Sequence, residues 1–263
     1  MAAGLYISSM PLVSTPAIVL SALRYRETSK IVRLATREFG VQSAIARGAY
    51  RPRSSFGAAL QLLSEGQAHL VMHAHRELHT LTAFDVVRVP LGLAENLDRY
   101  AAANALAEVM LRLSPPDAQP EAFDLLRDGL AILEAAPSVA VDPLTLRLLW
   151  RLVSVLGFAP ALESCARDGN PLPGSGTLYF SPADGGMLCP ACARDRADAA
   201  RLTAADRDDL IALVQPDREL PALDARHGAA HRRLLTRYIR HHLAEGAKLP
   251  ALDFWQGRPW SQE

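Results

Sequence analysis

Cys189-Pro190-Ala191-Cys192 is a complete Cys-x-x-Cys knuckle, preceded by Gly185-Gly186 as a tight hairpin wants. Two such knuckles about 15–20 residues apart hold a structural zinc, because paired thiolates on two turns make the tetrahedron the ion prefers. The partner knuckle is Cys165-Ala166-Arg167-Asp168, where Asp168 stands in the place of the fourth thiolate. A carboxylate oxygen can ligate zinc, although it is a harder ligand than sulfur. Cys165, Asp168, Cys189 and Cys192 are therefore the candidate ligands for one structural zinc. The alternative is a ribbon that folds without metal and keeps three free thiols. A catalytic zinc with an open position is disfavoured, since no histidine lies between His79 and His227 and no general base stands nearby.

The second constellation is electrostatic. Between Arg24 and Arg53 eight basic side chains (Arg24, Arg26, Lys30, Arg33, Arg37, Arg47, Arg51, Arg53) face only Glu27 and Glu38, a local charge of +6. The chain as a whole has 28 basic and 28 acidic residues, so the remainder carries −6. Charge that cancels globally but gathers locally marks a surface for a polyanion, and interleaved aromatics (Tyr25, Phe39, Tyr50, Phe56) favour nucleic acid. A solvated charged face is the plainer reading. Tyr50 and Phe56 are the candidates for base stacking, with packing into a core as the alternative for Phe56. A second basic zone, Arg226–His242, holds five arginines and no acid. Its Arg232, Arg233, Arg237 and Arg240 can rim a site for nucleic acid or for an acidic partner, or simply form the solvated face of a helix.

Signatures of catalysis are missing. The chain has no Walker-type loop, no dinucleotide fingerprint and no Gly-x-Ser-x-Gly elbow, and its acids are scattered. The expectation is a binding protein, not an enzyme. Two other classes stay in view: a zinc-dependent nucleic-acid enzyme built on the cysteine region, and a basic scaffold for an acidic protein.

The elements that must position these residues follow from periodicity. Ala17–Leu23, Ile31–Arg37, Val41–Arg47, Gln67–His73 and Leu78–Thr82 read as strands. Alternation puts Val32 and Leu34 on one face and Arg33 and Arg37 on the other. Five short strands in about 80 residues fit a small closed barrel of the OB type. Beyond Pro90 the period turns helical: Asn96–Leu113, Glu121–Ala135, a helix opened by Asp142-Pro143 and ending near Gly157, one from the Thr203/Asp206 capping box to Val214, and Ala229–Leu243. Between the third and fourth lies the irregular, Gly- and Pro-rich cysteine segment.

Composition sets the outer bounds. At 49% apolar residues and a mean hydropathy of +0.05 the chain can bury a sizeable core. No apolar run reaches the ~18 residues of a membrane span, and the N-terminus lacks the pattern of a signal peptide, so neither membrane nor export is expected. Three cysteines cannot complete a disulfide set, which points to a reducing compartment. Nothing in residues 1–9 has an evident structural role, so Met1 and Met10 are both candidate starts.

Taken together the chain resembles the RecO family of bacterial recombination mediators. The likeness rests on Thr15-Pro16-Ala17-Ile18-Val19-Leu20, Tyr25-Arg26-Glu27-Thr28-Ser29-Lys30, Phe39-Gly40, Ala46-Arg47-Gly48-Ala49-Tyr50-Arg51-Pro52-Arg53-Ser54 and Gly185-Gly186-Met187-Leu188-Cys189-Pro190-Ala191-Cys192. The departure is Asp168 for the second cysteine of the first knuckle, which bears on the metal and not on the fold. The resemblance implies an α+β protein: an N-terminal five-stranded OB-type barrel over residues 10–83, then a helical domain over 84–263 with a zinc-ribbon-like insertion at 160–195. It also implies binding of single- and double-stranded DNA, annealing of strands coated by single-strand binding protein (SSB), and work with RecR to load RecA, in the cytoplasm at the nucleoid. Arg24, Lys30, Arg33, Arg37, Arg47, Tyr50, Arg51 and Arg53 would then contact DNA. Arg232, Arg233, Arg237 and Arg240 would rim a groove for the acidic, apolar-ended SSB tail.

Overall fold

The computed structural model describes residues 11–57, 59–174, 176–243 and 247–261; both candidate starts lie outside this set. Two compact units appear, one from Met1–Pro90 with Pro115–Phe123, the other from Leu91–Ser114 with Asp124–Glu263.

The first unit is a closed barrel of five strands in the order β1-β2-β3-β5-β4, with β1 pairing back onto β4. The strands are β1 (Leu12–Tyr25), β2 (Ser29–Thr36), β3 (Gly40–Ala46), β4 (Glu65–Val71) and β5 (Leu78–Arg88). Only the β3–β5 join is parallel. β1 is far longer than the apolar run Ala17–Leu23, because Leu12–Ile18 pair with β4 while Ala17–Tyr25 pair with β2. A register shift between Val19 and Ser21 bends the strand so that it can serve both neighbours. β5 likewise runs on to Arg88, past the expected domain limit at 83, since Ala83–Val86 stay paired with Gly66–His69.

The bore is narrow, and the alternating residues that fill it are correspondingly small. Ala17, Ala44, Ala46 and Ala68 are fully buried beside Val32, Leu34 and Leu70. Phe56 and Leu60, from the β3–β4 connection, complete this core. Phe56 is therefore a packing residue and offers no face for base stacking. Gly40 ends the β2–β3 turn at φ +67°, and a Cβ there would lie 2.5 Å from the Asp117 carbonyl, so only glycine lets residues 115–123 lie against the barrel.

The second unit is helical. Asn96 caps α1 (Leu97–Leu113), whose alanines 101–103, 105 and 107 are buried. α2 (Pro120–Ala135) and α3 (Ser138–Val153) follow. α3 does not open at Asp142-Pro143 as periodicity suggests; it begins a turn earlier, and Pro143 lies inside it. Asp142 is an ion-pair partner of Arg232 instead of a cap. After Gly157 (φ +98°) the chain enters a small antiparallel sheet in the order β7-β6-β8, made of β6 (Leu178–Ser181), β7 (Gly186–Leu188) and β8 (Ala200–Leu202). α4 (Ala204–Val214) carries the expected capping box, and α5 (Ala225–His241) is capped by Asp224. A short α6 (Pro250–Gly257), absent from the sequence reading, closes the unit. Trp150 of α3, Phe180 of β6 and Tyr238 of α5 interlock with ring centroids 5.2–6.0 Å apart, which fixes the ribbon to the helices. Among the described residues no helix is long and apolar enough to cross a membrane.

Candidate nucleic-acid interface and metal centre

On the barrel an open cleft of ≈ 630 Å³ lies between the β1–β2 turn, the start of the β3–β4 connection and the β4–β5 connection. Arg26, Arg47, Arg51 and Arg76 line it, together with His73, and no carboxylate does. Tyr25, Ile45 and Leu78 add apolar surface to its lining. The pairing Arg24↔Lys30↔Ala46 and the Tyr50 N–H bond to the Thr28 carbonyl (2.9 Å) bring the two basic stretches to one end of the barrel. Arg26 sits at φ +54° with its guanidinium 5.3 Å from the Tyr25 ring centre. Gly48, at φ +72°, has the Arg51 side chain across the place of its missing Cβ. Beside the cleft the half-exposed Tyr50 ring meets Arg24 at 5.3 Å and Lys30 at 5.2 Å. Two cations beside one half-exposed aromatic make its surroundings electropositive.

The expected residues do not all converge here. Arg33 points outward from the middle of β2, opposite Ser21 and Ser43. Arg37 lies beyond the other end of β2, roughly 20 Å from Lys30 at ~3.3 Å per strand residue. Arg53 is exposed on the loop at φ +64° and does not line the cleft. The sequence reading missed His73 and Arg76, which come from the short His73-Ala74-His75-Arg76 connection, far along the chain from the basic run. Its basic character was visible; its place beside the β1–β2 turn required the barrel to close.

In the ribbon, Cys165, Asp168, Cys189 and Cys192 bring four ligand atoms within 4.8 Å of one another. A tetrahedral zinc with Zn–S bonds of about 2.3 Å separates its sulfurs by about 3.8 Å, so the set fits the ion. The first knuckle is shaped by Gly169 (φ +73°), whose N–H donates to the Cys165 carbonyl at 2.8 Å. In the second, the Cys192 N–H donates to the Cys189 sulfur at 3.4 Å. The knuckles are held together by Met187 donating to the Ala161 carbonyl at 2.8 Å and Ala166 donating to the Met187 carbonyl at 2.8 Å. Gly186 makes this possible, since a Cβ would fall 2.3 Å from the Ala161 carbonyl oxygen.

The Cys192 thiol donates to Asp168 (3.3 Å), and the Cys189 thiol lies 3.6 Å from the same oxygen. The Asn170 N–H and the Cys165 and Cys192 thiols hold the Asp168 carboxyl far below the usual carboxylate range. The adjoining carboxylate pushes the Cys192 thiol up to about 12. Four protein ligands leave no open position, so the cluster can hold one structural zinc.

The four arginines of α5 expected at a rim have different fates. Arg232 is buried and ion-paired with Asp142, and its Nε donates to the Gln256 carbonyl at 3.4 Å. It is no rim residue, because the helix turns it inward. Arg240 pairs with Asp253, and Arg237 donates to the Asp198 carbonyl. Arg233 is exposed and has no polar partner among the described residues.

Comparison with known proteins places this architecture. The family model described as recombination protein O N terminal matches residues 10–90, and that described as recombination protein O C terminal matches 94–251. A protein named DNA repair protein RecO from Symbiobacterium thermophilum is 35% identical over 79% of this chain and 82% of its own length. Its namesake in Rubrobacter xylanophilus is 32% identical over 89% and 92%, and that of Anaeromyxobacter dehalogenans 35% over 93% and 96%. Both halves of the chain are matched, in order and nearly end to end: it belongs to the RecO family.

Proposed function

We propose that this protein is a DNA-binding recombination mediator in DNA repair. It grips single- and double-stranded DNA through the barrel, anneals complementary strands, and with RecR helps load RecA onto SSB-coated single strands. The observation that carries the reading is the cleft lined by four guanidinium groups and no carboxylate. It lies between the β1–β2 and β4–β5 connections, where OB-type barrels receive oligonucleotides. Arg24, Lys30, Arg47 and Arg51 neutralise phosphates there, joined by Arg26 and Arg76, and Arg33, Arg37 and Arg53 extend the field along the barrel. Tyr50 stacks a base. Annealing then requires no bond-making step: one cationic surface screens two phosphate backbones until complementary bases pair. The ribbon zinc is structural, the helical domain receives the acidic SSB tail, and the protein works in the cytoplasm at the nucleoid.

The test is strand annealing on SSB-coated DNA across a salt series, with and without chelator. Affinity for single strands is expected to fall by roughly 0.7 log units per log unit of salt for each phosphate contact. The double variant Arg47→Glu/Arg51→Glu should lose annealing while keeping its circular dichroism spectrum. Wild-type annealing by that variant would reject the cleft. Cleavage of the strands that stops with chelator would favour a metal enzyme instead.

A further inference from the structure

Strand alternation puts residue 79 of β5 on the inner face of the barrel with Leu81, where the bore asks for an apolar side chain. The residue there is a histidine, only 7% exposed, and both its ring nitrogens are used. Nδ1 accepts from the His73 N–H at 3.1 Å. That leaves the ring proton on Nε2, which lies 2.9 Å from Oε1 of Gln42 in β3. The Gln42 amide nitrogen donates to the Phe39 carbonyl, which turns its oxygen toward the imidazole. The neutral ring thus ties the β4–β5 connection to β3. The tied N–H belongs to the first residue of a tight turn over 73–76, closed by the Arg76 N–H donating to the His73 carbonyl at 3.3 Å. The His73 ring stacks on that of His79 with centroids 6.2 Å apart, and its Nε2 lies 3.1 Å from the Thr80 hydroxyl. This turn supplies His73 and Arg76, the two cationic or titratable lining residues of the cleft that lie outside the basic run.

We propose, resting on the reading of the cleft as the DNA site, that His79 is a positioning residue for nucleic acid: its neutral imidazole pins the 73–76 turn so that the Arg76 guanidinium is held at the cleft. A leucine would fill the bore equally well; what the histidine adds is an acceptor for the turn and a donor for Gln42. An imidazolium cannot fill the role. With both nitrogens protonated, Nδ1 faces the His73 N–H donor to donor, and the turn comes loose with Arg76 on it. Burial, and after it the neighbouring His73, lowers the His79 pKa below the ordinary imidazole value and so keeps the ring neutral. β3 presents Gln42, which does not titrate, and no carboxylate or guanidinium acts on the ring.

The experiment is a fluorescence anisotropy titration of a dye-labelled oligothymidylate against the full chain, over a salt series and at pH values above and below 6.5. His79→Leu should bind about fivefold more weakly in ~0.1 M salt, with a salt slope smaller by about 0.7, the signature of one lost phosphate contact. Arg76→Ala should do the same, and the double variant should lose no more than either alone. His79→Gln, which keeps an acceptor and a donor without a titrating ring, should restore binding. As pH falls below 6.5 the wild type should weaken relative to His79→Gln, a comparison in which any gain from a charged His73 cancels. Circular dichroism at each pH reports the fold, and should His79→Leu fail to fold, the pH comparison decides. Losses at His79 and Arg76 that add, or a wild type that tracks His79→Gln at every pH, would leave His79 a packing residue only. Unchanged binding in Arg47→Glu/Arg51→Glu would remove the cleft itself. A loss in that variant beside wild-type binding in His79→Leu would reject the positioning role and leave the cleft standing.

Discussion

Tyr50 and Phe56, two aromatics six residues apart, differ in exposure and so in the work open to each. Phe56 is 5% exposed inside the barrel core, whereas Tyr50 is 47% exposed between two cations. Phe56→Ala should cost about 3–5 kcal/mol in denaturant unfolding. Tyr50→Ala should leave unfolding nearly unchanged and weaken single-strand binding by about 1–3 kcal/mol in a filter or anisotropy titration. Reversal of the two effects would place the stacking surface elsewhere. Asp168 is the other residue whose type decides an outcome. Asp168→Cys completes a four-thiolate set and should bind zinc more tightly in competition with a chromophoric chelator, because sulfur is the softer ligand. Asp168→Ala should bind it more weakly.

At the scale of elements, α3 carries a proline inside its span. Pro143 has no N–H for the Val139 carbonyl, which the helix would otherwise use, and its ring crowds that turn. Pro143→Ala should raise unfolding stability by roughly 1–2 kcal/mol, the regained hydrogen bond outweighing the looser unfolded chain. Unfolding that moves the other way would mean that the proline ring packs better than its missing bond costs. The same helix shows where sequence reading stops. Asp-Pro is a strong local start signal, yet Arg232, distant along the chain, claims the aspartate, and tertiary pairing outranks the local preference. The barrel was legible because period-2 alternation survives in β2 and β4, where Val32, Leu34, Ala68 and Leu70 point inward. The ends of β1 and β5 were not, since they are set by register with partner strands. The ribbon strands β6–β8 are three or four residues long, too short for any period to show. Of the cleft, the arginines of the β1–β2 and β3–β4 segments were readable as charge, but His73 and Arg76 join them only through the parallel β3–β5 pairing.

Taken whole, the molecule is charge-neutral and locally polarised, and its response to pH comes from what it buries. His79 and His231 are both held below the ordinary imidazole value of 6.5 by burial; His73 adds to this for His79, while Asp209 and Asp206 oppose it for His231. Below pH 6.5 the unfolded chain takes protons that the folded chain refuses, so stability is full above that value and declines as pH falls, until the folded imidazoles titrate too. The slope is about 1.4 kcal/mol per pH unit for each imidazole kept neutral. The thermal midpoint should therefore drop as pH falls below about 6.5, and the His231→Leu variant should show a shallower drop. Identical slopes would mean that His231 charges freely in the native state.

The stretch Pro115–Phe123, which rejoins the barrel after α1, has a bearing on how the gene can be dissected. An expression fragment stopped at Pro90 would omit the strap whose Asp117 carbonyl crowds Gly40, and would leave a bare seam along the β2–β3 turn. A usable minimal oligonucleotide binder should instead carry that strap on a short linker spanning the excised helix.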